Sequence, residues 1–227
     1  MSIAINVENV TKTFGETTVL SDITVAFEKG KVHGLIGRNG SGKTMLMKCI
    51  CGFVPVTRGT ITIDGLWLKK DMDFPKNIGV IIETPGFLPS YNAYRNLKFL
   101  ADIQGKIGKQ EIREAIQKVR LDPDSKKHVG KYSLGMRQRL GLAQAIMEDP
   151  DILILDEPMN GLDKDGVAEM RRYLLDLKAA GKTILIASHS AEDIDVLCDT
   201  VHEMDKGVLT TIRQGKELSK TDPCVVY

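Results

Sequence analysis

Gly37-Arg38-Asn39-Gly40-Ser41-Gly42-Lys43-Thr44 fits the pattern G-x-x-x-x-G-K-[ST], the sequence form of a phosphate-binding loop, or P-loop. Its flanks are the ones this chemistry needs. Residues 32–36 ahead of it read as a short buried strand, and 45–51 behind it, from Met45 on, are apolar and free of helix breakers. Glycines let backbone N–H groups close around phosphate oxygens, and a helix starting there points its positive dipole end at the same anion. Lys43 supplies a cation to the terminal phosphates and Thr44 a hydroxyl to Mg²⁺. A merely glycine-rich turn with a solvated lysine would need neither flank. The stretch predicts a nucleoside triphosphate site inside an α/β fold.

A chain of 227 residues suffices for one large α/β domain or one domain with an insertion. Lys plus Arg number 31 and Asp plus Glu 30, a net charge of +1. That balance gives no support to a general nucleic-acid or membrane-surface role. Cys49, Cys51, Cys198 and Cys224 lack metal-ligand spacing, and a reduced cytosolic state is the simplest reading. No apolar run approaches the length of a membrane span, and residues 1–12 alternate like a strand, so neither a signal peptide nor an anchor is expected.

Residues 3–14 and 19–27 read as two strands turning at Gly15-Glu16. Phe14, at a strand end, is either core packing or a platform on which a base stacks. Residues 60–63 and 78–82 read as further strands, the latter running into the loop Glu83-Thr84-Pro85-Gly86. Between about 90 and 147 the texture turns helical, with helices at 92–104, 109–121 and 134–147 and Ser133 placed to cap the third. After that come a buried strand Ile152-Leu153-Ile154-Leu155, a helix at 164–180, a strand at 183–187, a helix at 191–197 and strands at 200–204 and 208–212. Strands alternating with helices predict a mostly parallel sheet whose ligand lies at the strands' carboxyl ends.

Asp156 and Glu157 close the buried strand at that edge. The aspartate suits Mg²⁺, which prefers oxygen ligands, and the glutamate can polarise an attacking water. Adjacent side chains diverge in a strand, so the two acids can serve different partners.

With these residues in place, the chain closely resembles the nucleotide-binding subunits of ABC transporters over nearly its whole length. The resemblance rests on motifs in order: Lys12-Thr13-Phe14-Gly15, the P-loop, Tyr132-Ser133-Leu134-Gly135-Met136-Arg137-Gln138-Arg139, Leu155-Asp156-Glu157-Pro158, Asn160-Gly161-Leu162-Asp163 and Ala187-Ser188-His189. It implies a RecA-like core with an N-terminal antiparallel β subdomain (1–88 and 149–227) and an inserted α-helical subdomain (89–148). It implies ATP and Mg²⁺, with adenine stacking on Phe14 and the triphosphate held by Gly37 to Met45. Glu157 would be the general base, Asp156, Thr44 and Glu83 the metal environment, and Lys43 and His189 the γ-phosphate contacts. Ser133, Gly135 and Asp163 would serve the nucleotide of a second subunit, either a copy of this chain or a paralogue. The partner beyond that would be an integral-membrane permease, holding this chain peripherally on the inner face of the membrane. The apolar loop Phe87, Leu88, Pro89 and Tyr91 would help form the groove for that permease, or would pack between subdomains.

Four residues depart from the family's common pattern. Leu134 and Met136 replace a glycine and a glutamine, while Gly135 is kept. Met45 stands where a hydroxyl residue is common, which removes one α-phosphate contact. Glu83 stands where glutamine is usual; an ionised glutamate is a stronger metal ligand but no hydrogen-bond donor. Glu83 with the Ser-Leu-Gly-Met stretch resembles the subgroup linked to bacitracin and lantibiotic resistance or self-immunity. The alternative within the family is a non-transport ATPase of translation, repair or chromosome maintenance. Such proteins usually carry tandem cassettes, long coiled coils or basic surfaces, none of which this sequence has.

Overall fold

The computed structural model describes residues 2–83 and 86–214. Thr84, Pro85 and Cys224, which the sequence reading mentions, lie outside the described residues.

Strands β1 (Ile3–Phe14) and β2 (Thr17–Glu28) form a long hairpin, extended by β4 (Arg58–Ile63) and the two-residue β5 (Leu66–Trp67) into an antiparallel sheet of order β2-β1-β4-β5. Asp64-Gly65 is a two-residue turn with both φ positive (50° and 80°), so it folds β5 back on β4. The second sheet runs β10-β9-β3-β8-β7-β6, with β3 (Val32–Ile36), β6 (Ile78–Ile81), β7 (Ile152–Asp156), β8 (Thr183–Ala187) and β9 (Thr200–Asp205) parallel. Only β10 (Val208–Gln214), returning from β9 through Lys206-Gly207, is antiparallel.

Helix α1 (Lys43–Ile50) follows the P-loop. Between β6 and β7 lie α2 (Ala93–Gln104), α3 (Lys109–Lys118), a 3₁₀ turn at Val129–Lys131 that the sequence reading lacked, and α4 (Leu134–Ile146). Asn92 caps α2 and Ser133 caps α4, each accepting from the backbone N–H three residues on. Helices α5 (Lys164–Ala179) and α6 (Ala191–Leu197) follow β7 and β8. Among the described residues no helix is long and apolar enough to cross a membrane.

Period-two alternation in the parallel strands feeds two cores. Val32, Leu153, Leu155, Ile184 and Ile186 pack with α2–α6, while Leu35, Ile152, Ile154, Leu185 and Ala187 pack with α1 and the antiparallel sheet. Fully burying one such side chain contributes roughly 1.5–3 kcal/mol. Leu97, Ile116 and Leu140 of the inserted helices share a core with Leu153 and Leu155, so the insertion is cemented to the sheet rather than closed on a core of its own. Cys49 and Cys51 of the α1 region are buried, and burial pushes their thiols up to about 11 and about 12, which leaves them protonated and inert.

A buried polar chain joins β2, β3, β9 and β10. The Glu28 carbonyl can only accept, so His33 Nε2–H donates to it (2.9 Å) and His33 Nδ1 accepts from Thr200 Oγ1 (2.7 Å). Thr200 Oγ1 then accepts from His202 Nε2–H (3.2 Å), and His202 Nδ1 accepts from Thr211 (2.9 Å). Each proton is used once, and both rings are neutral. Burial holds both imidazoles below the ordinary value of 6.5, His202 at about 4. As pH falls from about 6.5 to about 4, the unfolded chain takes up a proton that folded His202 refuses, and stability is lost across that window. Unfolding free energies from urea titrations at pH 7.5 to 4 should therefore decline by on the order of 3 kcal/mol for this residue, and His202→Gln should flatten that part of the slope.

Candidate active site

Register brings the chemistry to one level. Leu35 pairs with Ala187, Ala187 with Asp156, and Leu155 with Ile81. The P-loop, Ser188-His189, Glu157 and Ile82-Glu83 therefore all leave the sheet at the same edge. With strands spaced about 4.8 Å, β7 stands roughly 10 Å from β3, and β8 lies between them.

The P-loop is held from several sides. Gly37 has φ +142°, and a Cβ there would meet the Met204 carbonyl oxygen at 2.2 Å. Gly207 N–H, in the β9–β10 turn, donates to Ser41 O at 2.8 Å. Helix α1 starts at Gly42 with no side-chain cap and no acidic residue in its first turn, leaving its N–H groups to an anion. Ser41 Oγ is buried without a hydrogen-bond partner, an orphan that a phosphate oxygen would satisfy. Lys43 is buried, and its ammonium donates to the carbonyls of Gly37 (2.6 Å) and Arg38 (3.0 Å), so it is folded back on its own loop. Arg38, Asn39 and Gly40 form the exposed tip, and Met45 packs partly into the core beneath. A cleft of about 810 Å³ lined by Gly37, Arg38, His189 and Glu203 opens beside the loop.

Thr44 Oγ1 donates to Asp156 Oδ2 at 2.7 Å, joining the start of α1 to the end of β7. Among the described residues no group of three His, Cys, Asp or Glu could hold a metal alone. A hydroxyl and one carboxylate are nevertheless what Mg²⁺ takes from a protein when substrate phosphates and water complete its octahedron, so the residues present fit that ion.

Glu157 adopts φ +49°, its N–H bonded to Ala187 O (2.9 Å) and its Oε2 to His189 Nδ1 (2.8 Å). The Ser188–Ser190 turn that carries His189 is fastened by Ser188 Oγ–H to Asp193, which Arg171 in turn holds.

Other expected residues take partners within the chain, of which the Ser133 cap was expected from the sequence. The Glu83 carboxylate reaches Lys48 of α1 at 2.6 Å rather than the Thr44–Asp156 pair. Asp163 caps α5, accepting from Gly166 N–H at 2.9 Å. Ser133 Oγ accepts from Met136 N–H, which leaves its own O–H to donate. At Gly135 a Cβ would meet Gly161 O at 2.7 Å, so contact within this chain already requires a glycine. Phe14 is 49% exposed at the hairpin end and carries the Lys12 ammonium 4.4 Å from its ring centroid, which excludes the core-packing reading. Phe87 to Tyr91 is stitched down, Leu88 by both backbone groups to Asn96 and Pro89 by Gly130 N–H. The groove nearby is instead lined by Phe74, Ile78, Val80, Leu100, Ile103 and Met147.

Residues 20–160 match the family described as ABC transporter. YybJ of Bacillus subtilis, an uncharacterized ABC transporter ATP-binding protein, is 49% identical over 207 residues, 91% of this chain and 95% of its own. The bacitracin transport ATP-binding protein BcrA of Enterococcus faecalis is 42% identical over 97% of this chain and 72% of its own. Among solved structures, the dimeric ATP-binding cassette MJ0796 in a post-hydrolysis state with ADP and Pi matches with a TM-score of 0.84. That match covers 92% of this chain and 99% of the other at 20% identity, a likeness of fold.

Gly37→Ala should weaken ATP binding by about 10- to 100-fold in a fluorescent-nucleotide titration, because the loop must distort at a cost of roughly 1–3 kcal/mol. Gly40→Ala, whose Cβ meets no atom within 4 Å, should cost less. Equal losses would place the effect in backbone conformation alone and not in the Met204 contact.

Proposed function

The chain belongs to the ABC transporter family as an ATP-binding subunit and an ATPase, and from that premise we propose that it works as one half of a two-site engine driving a separate membrane permease. The observation that carries the mechanism is the common register of the P-loop, the Thr44–Asp156 pair, Glu157 and His189 at one sheet edge.

In this reading adenine stacks on exposed Phe14, and the loop N–H groups, Ser41 Oγ and Lys43 take the phosphates. Lys43 leaves the Gly37 and Arg38 carbonyls to do so. Thr44 and Asp156 would hold Mg²⁺, which when bound would draw negative charge off the phosphate oxygens. Glu83, paired with Lys48 here, would add a carboxylate to the metal environment. His189 holds Glu157 Oε2 and so aims the carboxylate. Glu157 accepts a proton from water as the water oxygen bonds to the γ-phosphorus and the bridge to the β-phosphate breaks.

The N-terminus of α4 is a second anion site, with the Ser133 O–H and the Leu134 and Gly135 N–H groups available. It serves the triphosphate of a second subunit in a head-to-tail pair, with Asp163 at the same junction. The groove of about 460 Å³ between β6, α2 and α4 receives the permease, because it exposes Phe74 (57%) and Ile103 (80%) together. Such a subunit sits on the cytoplasmic face of the membrane. Its relatives' transport role sets the non-transport alternative aside, and the bacitracin relative points to export of peptide antibiotics.

Glu157→Gln tests the engine. The variant should bind ATP as the wild type does, hydrolyse it about 10²–10⁴-fold more slowly, and accumulate as a nucleotide-bound dimer in sedimentation. Wild-type turnover would require another base.

A further inference from the structure

Helix α4 carries a contact that neither nucleotide site explains. The Gln138 side chain is 7% exposed, and its Nε2–H donates to the backbone carbonyl of Glu157 at 3.2 Å. That carbonyl also accepts from Asn160 N–H at 3.1 Å, so both lone pairs are used. One bond belongs to the local turn. The other comes from a helix nineteen residues earlier in the chain.

Glu157 needs such support. Its left-handed φ of +49° is unfavourable for a side chain with a Cβ, and Pro158 after it has no N–H with which to anchor the turn. The peptide before Glu157 is fixed to β8 through Ala187 O, and the peptide after it is fixed to α4 through Gln138. A shift of α4 must therefore act on the backbone that aims the Glu157 carboxylate. The rest of α4 is bound to the same stretch of chain. Gly135 abuts Gly161 O, and the Arg139 guanidinium donates to Glu169 Oε2 at 3.1 Å with both terminal nitrogens.

We propose that Gln138 is a positioning residue that couples the two ATP sites. The α4 N-terminus, engaged by the triphosphate on the partner subunit, sets through Gln138 the backbone at Glu157, the base of its own protomer. This coupling rests on the paired-subunit reading above. It gives each site information about the occupancy of the other without a contact between the two nucleotides.

Steady-state ATPase measurements on the full chain test it with Gln138→Met, which keeps length and burial but removes the donor. Gln138→Glu, isosteric and without a donor when ionised, is the second variant should the first fail to fold. Loss of aim should lower kcat by about 10- to 100-fold, leave KM for ATP within about twofold and reduce the Hill coefficient to about 1. Unchanged kcat and Hill coefficient in a folded variant would overturn the proposal. So would a kcat loss that leaves cooperativity intact, which is what general loosening of the core would give. The Glu157→Gln protein with Gln138 intact separates the two levels. If it fails to dimerise on ATP, the paired-subunit reading falls and the coupling with it; if it dimerises, the kinetics of the Gln138 variants decide the coupling alone.

Discussion

The 2.7 Å hydrogen bond from Thr44 to Asp156 is the constraint on which the site depends. It ties the first turn of α1 to the last residue of β7, two strands away across β8. A hydroxyl and a carboxylate at that separation could close on one divalent cation with little rearrangement, so on the proposed reading this part of a metal shell is organised before any nucleotide arrives. The parallel sheet makes the bond possible. Strands buried on both faces fix the register, and the register fixes which residues reach the carboxyl edge together.

The other charged groups at this edge are held by neighbours in the chain itself. Lys43 rests on two loop carbonyls, Glu157 on His189 and Glu83 on Lys48. Buried Lys43 needs partners on leaving water, and in the proposed reading a triphosphate, a metal or a water replaces each of these partners. On the proposed reading, nucleotide binding is an exchange of partners. Ser41 Oγ is the exception, already aimed into the loop with nothing to give up.

Much of this was legible in the sequence because it is local. The P-loop strand and helix, the Ser133 cap and the run ending in Asp156 each follow from a few adjacent residues. The two-residue β5 and the 3₁₀ turn are too short for periodicity to reveal, although the Asp64-Gly65 turn that makes β5 is a local signal. Glu83 with Lys48, Gln138 with Glu157 and Gly135 with Gly161 O are contacts between distant segments, and no spacing rule announces them. Asp163 was readable as a helix cap, standing just before the helical stretch at 164–180. The family pattern drew attention instead to its place at the subunit junction. The His33–Thr200–His202–Thr211 chain needs three strands in register before it exists at all.

Calorimetric titration of ATP, with Mg²⁺ and then with EDTA, into the wild-type chain and into Asp156→Asn tests the central claim most directly. If Thr44 and Asp156 are the protein half of the metal shell, the wild type binds more tightly with Mg²⁺, and the variant keeps metal-free binding but loses most of that increment. An undiminished Mg²⁺ increment in Asp156→Asn would contradict the account and move the metal elsewhere on the sheet edge.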